Sequence, residues 1–228
     1  MPLCPYGFAV RRQGIIMTTS TYPSQNLTHR RADLGVHFLG LILILGAGGV
    51  LIYNAIGRAD TNIIFALVVY VVCALISNLA SWAYHFSPWH ERRKTLRRID
   101  HAAIYPSIAG TFTPFFVQAS TTWTLILLGV CWALTLLAIW KKFTDENVKS
   151  KWSTASYLGL GAIGLCALPD MTNVPIMALW CILAGSACYV IGTIFYVRKA
   201  MPFRYAIWHL WVNFGGIFML AGIWSALF

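Results

Sequence analysis

The stretch Ser81–Gly110, SWAYHFSPWHERRKTLRRIDHAAIYPSIAG, decides how this chain is read. His85 closes one long apolar segment, a basic run follows, and Asp100 opens the next segment. If both segments cross a bilayer as helices, His85 leaves the membrane and Asp100 enters it at the same face. The two side chains then share one depth, separated only by a basic loop.

The rest of the 228 residues supports such a bilayer reading. The chain is 58% hydrophobic and 11% charged, whereas a soluble domain carries about 25% charged residues. Too few charges remain to solvate a globular surface. The formal net charge of +10 therefore reads as loop charge that meets anionic lipid headgroups. It does not read as a nucleic-acid footprint, because none of the groove-reading or base-stacking modules is present. Membrane lipids are the expected partners. Of the six cysteines, Cys4 lies near the start and the others lie in apolar segments. No CxxC pair occurs, so free thiols are expected.

Residues 1–33 are polar and basic, and read as a cytoplasmic tail, largely disordered up to about Tyr22. They are too polar for a signal peptide, and Met17 is a possible alternative start. Residues 34–228 form one unit of seven apolar segments: Leu34–Ile56, Asn62–Tyr84, His101–Gln118, Thr121–Trp140, Ser153–Leu168, Val174–Val197 and Tyr205–Phe228. A hydrocarbon core of about 30 Å takes about 20 helical residues. The fifth segment is the shortest. No segment alternates with the period of a barrel strand, and lipid leaves helices as the remaining way to satisfy backbone groups. The predicted fold is an all-α integral membrane protein, a seven-transmembrane helix bundle. Pro106 and Pro114 are expected to kink the third helix. Gly46, Gly48, Gly49, Gly159, Gly161 and Gly164 read as points of close helix packing.

With seven spans, Arg58 alone of the 17 Lys and Arg residues falls on one side. The positive-inside rule then places the N-terminus in the cytoplasm and the C-terminus outside. A multi-pass protein of the plasma (inner) membrane is expected.

Ionisable groups at membrane depth are expensive and default to functional candidates. No Lys, Arg, Asp or Glu lies in the body of a segment. Asp33 precedes the first and Asp100 opens the third. His37, His85 and His209 each lie about one turn from the same face. Ser77, Ser81 and His85 are spaced i, i+4, i+8 and form one polar stripe with Asn78 nearby. Two imidazoles and a carboxylate, here His85, His209 and Asp100, are a donor set that catalytic zinc uses and that non-haem iron can also use. Interhelical hydrogen bonding is the plainer reading of the same residues. The Trp and Tyr residues near segment ends read as interfacial anchors. Without a lysine in the seventh segment, a retinal Schiff base is excluded.

SWAYH at 81–85, RRIDHAAIYPSIAGTFTPF at 97–115, YVIGTIFYVRKAMPFRYAIWHLWV at 189–212 and ADLGVHFLG near the start resemble the hemolysin III branch of the progestin and adipoQ receptor family. The resemblance implies a seven-helix bundle with zinc near the cytoplasmic helix ends, held by three histidines. One matches His85; the others form an HxxxH pair opening the seventh helix. It also implies an aspartate matching Asp100 that holds water at the metal, and a serine matching Ser81 close by, so Asp100 and Ser81 are the implied catalytic residues. Lipid amide hydrolysis, a receptor or membrane-fluidity role, and pore formation are the functions the family suggests.

This chain departs from that pattern once. Position 209 is His, but Tyr205 stands where the other histidine of the pair would be. A phenol with a pKa near 10 is a poor zinc ligand at neutral pH. Three outcomes follow: Asp100 joins His85 and His209 as a ligand, His37 replaces the missing imidazole, or the cluster is a hydrogen-bonded polar knot with a degenerate metal site. The last accompanies a role in membrane lipid and fluidity homeostasis; the first two accompany zinc-dependent hydrolysis of a lipid amide or ester.

Overall fold

The computed structural model describes residues 22–144 and 150–228; the tail before Tyr22, including Cys4 and Met17, lies outside them. Seven long helices run through the described residues: α1 (Leu27–Ala55), α2 (Thr61–Phe86), α3 (Arg93–Ala119), α4 (Thr122–Thr144), α5 (Ser150–Leu165), α6 (Ile176–Tyr196) and α7 (Arg204–Leu227). Short 3₁₀ turns at His90–Arg92 and Leu168–Asp170 join two of the pairs, and no strand occurs among the described residues. The fold is all-α. Helices α1, α2, α4, α6 and α7 are long and apolar enough to cross a membrane.

The two that fall short do so for different reasons. Helix α5 has 16 residues, or about 24 Å at 1.5 Å per residue. Helix α3 has the length but opens on Arg93, Lys94, Arg97, Arg98 and Asp100. It is also the innermost helix: every residue from Ala109 to Phe116 is buried, among α2, α4, α5 and α7. A helix sheathed by protein has no need of a uniformly apolar face. It runs unbroken through Pro106 and Pro114.

Helix ends follow local chemistry. Asn26 caps α1 by accepting from the N–H groups of Thr28 and His29, at 2.9 and 3.3 Å. That cap starts α1 at Leu27, ahead of the expected Leu34, and so brings Asp33 inside the helix. The Ser87-Pro88 pair stops α2. Buried Arg93 then folds back and donates to the carbonyls of Tyr84 and Ser87, which covers the end of α2.

Helices α1, α2, α3, α5, α6 and α7 pack in sequence around the bundle, and α4 rests outside on α3 and α5. The glycine expectation holds only in part. A Cβ at Gly164 would lie 2.2 Å from the Phe112 ring, and one at Gly48 would lie 3.0 Å from Val71. Gly46, Gly49, Gly159 and Gly161 have no neighbour within 4 Å; the first three face outward, and Gly161 opens onto a cavity inside the bundle. Cys73, Cys131, Cys166, Cys181 and Cys188 are free thiols.

Candidate functional site

Asp33 is the hub of the site. It sits in the second turn of α1 and is 0% exposed. Its Oδ2 accepts from His85 Nδ1 at 2.7 Å, and its Oδ1 accepts from His209 Nδ1 at 2.7 Å. His37, one turn along α1, places Nδ1 2.8 Å from the Asp33 main-chain oxygen and 3.3 Å from Oδ1. Burying a carboxylate costs several kcal/mol unless donors replace water; here three imidazoles supply them. The rings stand 4.0 to 5.3 Å apart, centroid to centroid.

This arrangement fixes the imidazoles. An ionised carboxylate only accepts, so Nδ1 of His85 and of His209 is the donor to Asp33. Two Nε2 atoms turn to one point, the Ser81 hydroxyl. His37 Nε2 is 3.0 Å and His209 Nε2 is 3.4 Å from Ser81 Oγ. Ser81 lies one turn before His85 on α2 and is 7% exposed.

Helix α1 is held in register by two asparagines. Asn213 Nδ2 donates to Val36 O at 2.9 Å, and Asn78 Nδ2 reaches His37 O at 3.5 Å. Both press on Gly40: a Cβ there would lie 2.7 Å from Asn213 Oδ1 and 2.9 Å from Asn78 Nδ2. Gly40 thus lets α1 approach α2 and α7 closely enough for Asp33 and His37 to reach their partners.

Of the residues singled out from the sequence, His85, His209 and Ser81 converge as described. Asp100 lines the same cavity, within reach of Ser81 and His85. Tyr205 stacks edge-on against His85, with centroids 4.8 Å apart. Arg204 lies over the Tyr205 ring at 4.3 Å, so its charge is engaged by that ring's face. Asp33 was placed outside the first apolar segment by hydropathy; its i, i+4 spacing to His37 is the signal that marks it.

Asp33, His37 and His209 form a compact group able to hold a metal ion, each offering an atom within 4.8 Å of the others. The fit can be tested on distances. Asp33 Oδ1 lies 3.3 and 2.7 Å from the two Nδ1 atoms. Two ligands on one tetrahedral zinc stand about 3.3 Å apart when their bonds are near 2.0 Å. One imidazole pair and a carboxylate also suit that metal chemically, and His85 would steady the other carboxylate oxygen. The residues fit. The same atoms are equally close enough to share protons, so metal and Nδ1 protons are alternatives here.

The cluster closes one end of a cavity of about 540 Å³ framed by α1, α2, α3, α5, α6 and α7. Its polar end carries His37, Ser81, His85, Asp100, Tyr205 and His209. Its body is lined by apolar side chains such as Leu43, Ile44, Ile108, Phe112 and Leu220. Helix α4 contributes nothing to the lining.

Fold and site together describe an all-α, multi-pass membrane protein with a buried histidine–carboxylate centre. The family model described as Haemolysin-III related matches residues 31–220. Hemolysin-3 of Bacillus cereus is 32% identical over 203 residues, covering 87% of this chain and 92% of the relative. The Hemolysin-3 homolog of Bacillus subtilis (strain 168) is 32% identical over 190 residues, covering 82% and 89%. The chain belongs to the hemolysin III family.

Proposed function

We propose that this chain is a seven-span protein of the plasma (inner) membrane that acts on membrane lipid in lipid and fluidity homeostasis. An acyl chain enters the central cavity, and its polar head meets the histidine–carboxylate end. The observation that carries this reading is the cavity's polarity: the ionisable groups gather at one end and the body is mostly apolar. Water gains little in such a body, whereas a hydrocarbon tail fills it. The basic loops favour a cytoplasmic N-terminus and an outside C-terminus by the positive-inside rule. The polar end then lies near the cytoplasmic headgroups, where a lipid already presents its head.

The reading is tested by binding. Purified protein retains a fatty-acyl lipid in the wild type, and Ala47→Trp, which fills the cavity wall, releases it. Equal retention by both, seen by native mass spectrometry, refutes the placement of the lipid.

Zinc-dependent hydrolysis of a lipid amide or ester is the second reading, favoured by the compact Asp33, His37 and His209 group. Those three residues would hold the ion, with His85 bracing Asp33. A zinc ion there would supply Lewis acidity at the polar end of the cavity. Asp100 and Ser81 would orient the lipid head and the attacking water by hydrogen bonds. The set His85, His209 and Asp100 differs from this group in two members, and the Asp100→Asn and Asp33→Asn variants separate them: the true ligand's variant loses zinc. Metal analysis beside Tyr205→His completes the test. Zinc gained only in that variant means that Tyr205 abolishes the site in this chain.

A further inference from the structure

We propose that the cavity is selective for an acyl chain that carries an oxygen part-way along its length, and that Tyr70 and Tyr189 bind that oxygen. This ligand class rests on the lipid reading above and narrows it to hydroxylated chains.

Two phenols stand where phenylalanine would fill the same space. Tyr70 on α2 and Tyr189 on α6 both line the body of the cavity, away from its ionisable end. Tyr70 is 8% exposed. Among the described residues, none forms a hydrogen bond to either phenol oxygen. Neither oxygen is among the fully enclosed polar atoms, so each is open to the cavity. Two other phenols of the bundle are bonded within the protein. Tyr105 meets the Ser156 hydroxyl at 2.7 Å, and Tyr157 donates to the His101 carbonyl at 2.9 Å. Burying a hydroxyl without a partner is costly, and buried polar groups are nearly always bonded. A polar group that arrives with the ligand accounts for both Tyr70 and Tyr189.

The packing around Tyr189 holds it in place for this. A Cβ on Gly215 of α7 would lie 2.5 Å from the Tyr189 ring. Glycine at that position lets the phenol lie across α7. The two phenols are also near enough to interact electrostatically, so they serve the same stretch of a bound chain.

Depth says which stretch that is. Tyr70 lies three turns before Ser81 on α2, about 16 Å along the axis at 1.5 Å per residue. Tyr189 lies two turns before Tyr196 on α6, about 10 Å by the same rise. Tyr196 stands at the polar end beside Tyr205, with ring centroids 6.4 Å apart. An extended chain advances about 3.4 Å per three bonds, so the phenols face a chain about nine to fourteen bonds from its head. An oxygen near the twelfth carbon falls in that window. A phenol both donates and accepts, so a chain hydroxyl can bond to it either way, whereas a plain hydrocarbon leaves both phenols unmet.

The test offers the full chain in detergent equal amounts of stearate and 12-hydroxystearate. Native mass spectrometry reads the bound fraction, since the two acids differ in mass by one oxygen. The wild type is expected to favour 12-hydroxystearate about fivefold, the net gain of one hydrogen bond. Tyr70→Phe and Tyr189→Phe each lower that preference. The double variant takes both acids alike and binds stearate as the wild type does, with its fold checked by thermal unfolding. A further arm needs no variant: 17-hydroxystearate, whose oxygen lies beyond the window, gains nothing over stearate in the wild type. Equal uptake of stearate and 12-hydroxystearate by the wild type overturns the proposal, because water alone then meets the phenols. So does a preference that survives in the double variant or extends equally to the 17-hydroxy acid. A wild type that retains none of the acids overturns the lipid reading itself, and this ligand class with it.

Discussion

Two carboxylates sit at opposite ends of this bundle, and their partners differ: one is bonded by imidazoles, the other by a hydroxyl. At one end Asp33 is wholly buried and bonded by His85, His209 and His37. At the other, half-buried Asp170 accepts from the Thr121 hydroxyl, and Thr121 is bonded in turn to Thr124 at 3.1 Å. Both clusters satisfy a costly group. The Thr121 hydroxyl donates its one proton and also accepts from the Thr124 N–H at 3.1 Å, so both roles are taken up in tying the start of α4 to the turn before α6. An imidazole that donates from Nδ1 still holds a lone pair on Nε2, five-membered-ring geometry away. Two of the three around Asp33 turn Nε2 to Ser81. The difference lies in the donors' second ends.

That contrast can be broken most directly at the two aspartates. Asp33→Ala leaves the N–H donors of His85 and His209 in a buried site without their acceptor, while His37 keeps the main-chain oxygen of residue 33. It should cost about 3–5 kcal/mol, as removal of one partner from a buried charged pair does. The measurement is denaturant unfolding in detergent, beside the wild type. Gly40→Ala comes next. The added methyl displaces Asn78 and Asn213, and overpacking of this kind costs about 1–3 kcal/mol. It should also reduce lipid retention, since α1 carries Asp33 and His37; unchanged stability together with unchanged retention would show that the asparagines do not set the register of α1. Asp170→Ala removes a charged acceptor from a half-buried site and should cost about 1 kcal/mol, with lipid retention intact. A loss of retention in that variant would erase the distinction between the two ends. The smallest effect belongs to Gly46→Ala, whose Cβ meets nothing within 4 Å. It should shift stability by under about 1 kcal/mol, toward more stable, because alanine favours the helix.

Much of the site was legible in advance, and the part that was not has a definite cause. His85, Ser81 and His209 follow from helical spacing and from depth, two properties that a sequence carries when a bilayer sets the scale. His37 was already the best replacement for the histidine missing at Tyr205. Asp33 was underrated because hydropathy begins the first segment at Leu34. The Asn26 cap begins α1 earlier, and the early start turns a flanking charge into a buried one. The glycines show the same limit: periodicity marks a small residue, but only the neighbour's position says whether it is packed, as at Gly164, or bare, as at Gly161.

By itself, then, the sequence determined the class of protein, its all-α character, the family motifs and the end of the bundle where polar groups gather. Those depend on composition and on distances along one helix, which the chain encodes locally. The tertiary structure decided which carboxylate the imidazoles share, and that a cavity opens beside them. It also decided that two nitrogens face Ser81 across helices α1, α2 and α7. Those depend on side chains far apart in the chain meeting within hydrogen-bonding distance, and such meetings are fixed only when the helices pack.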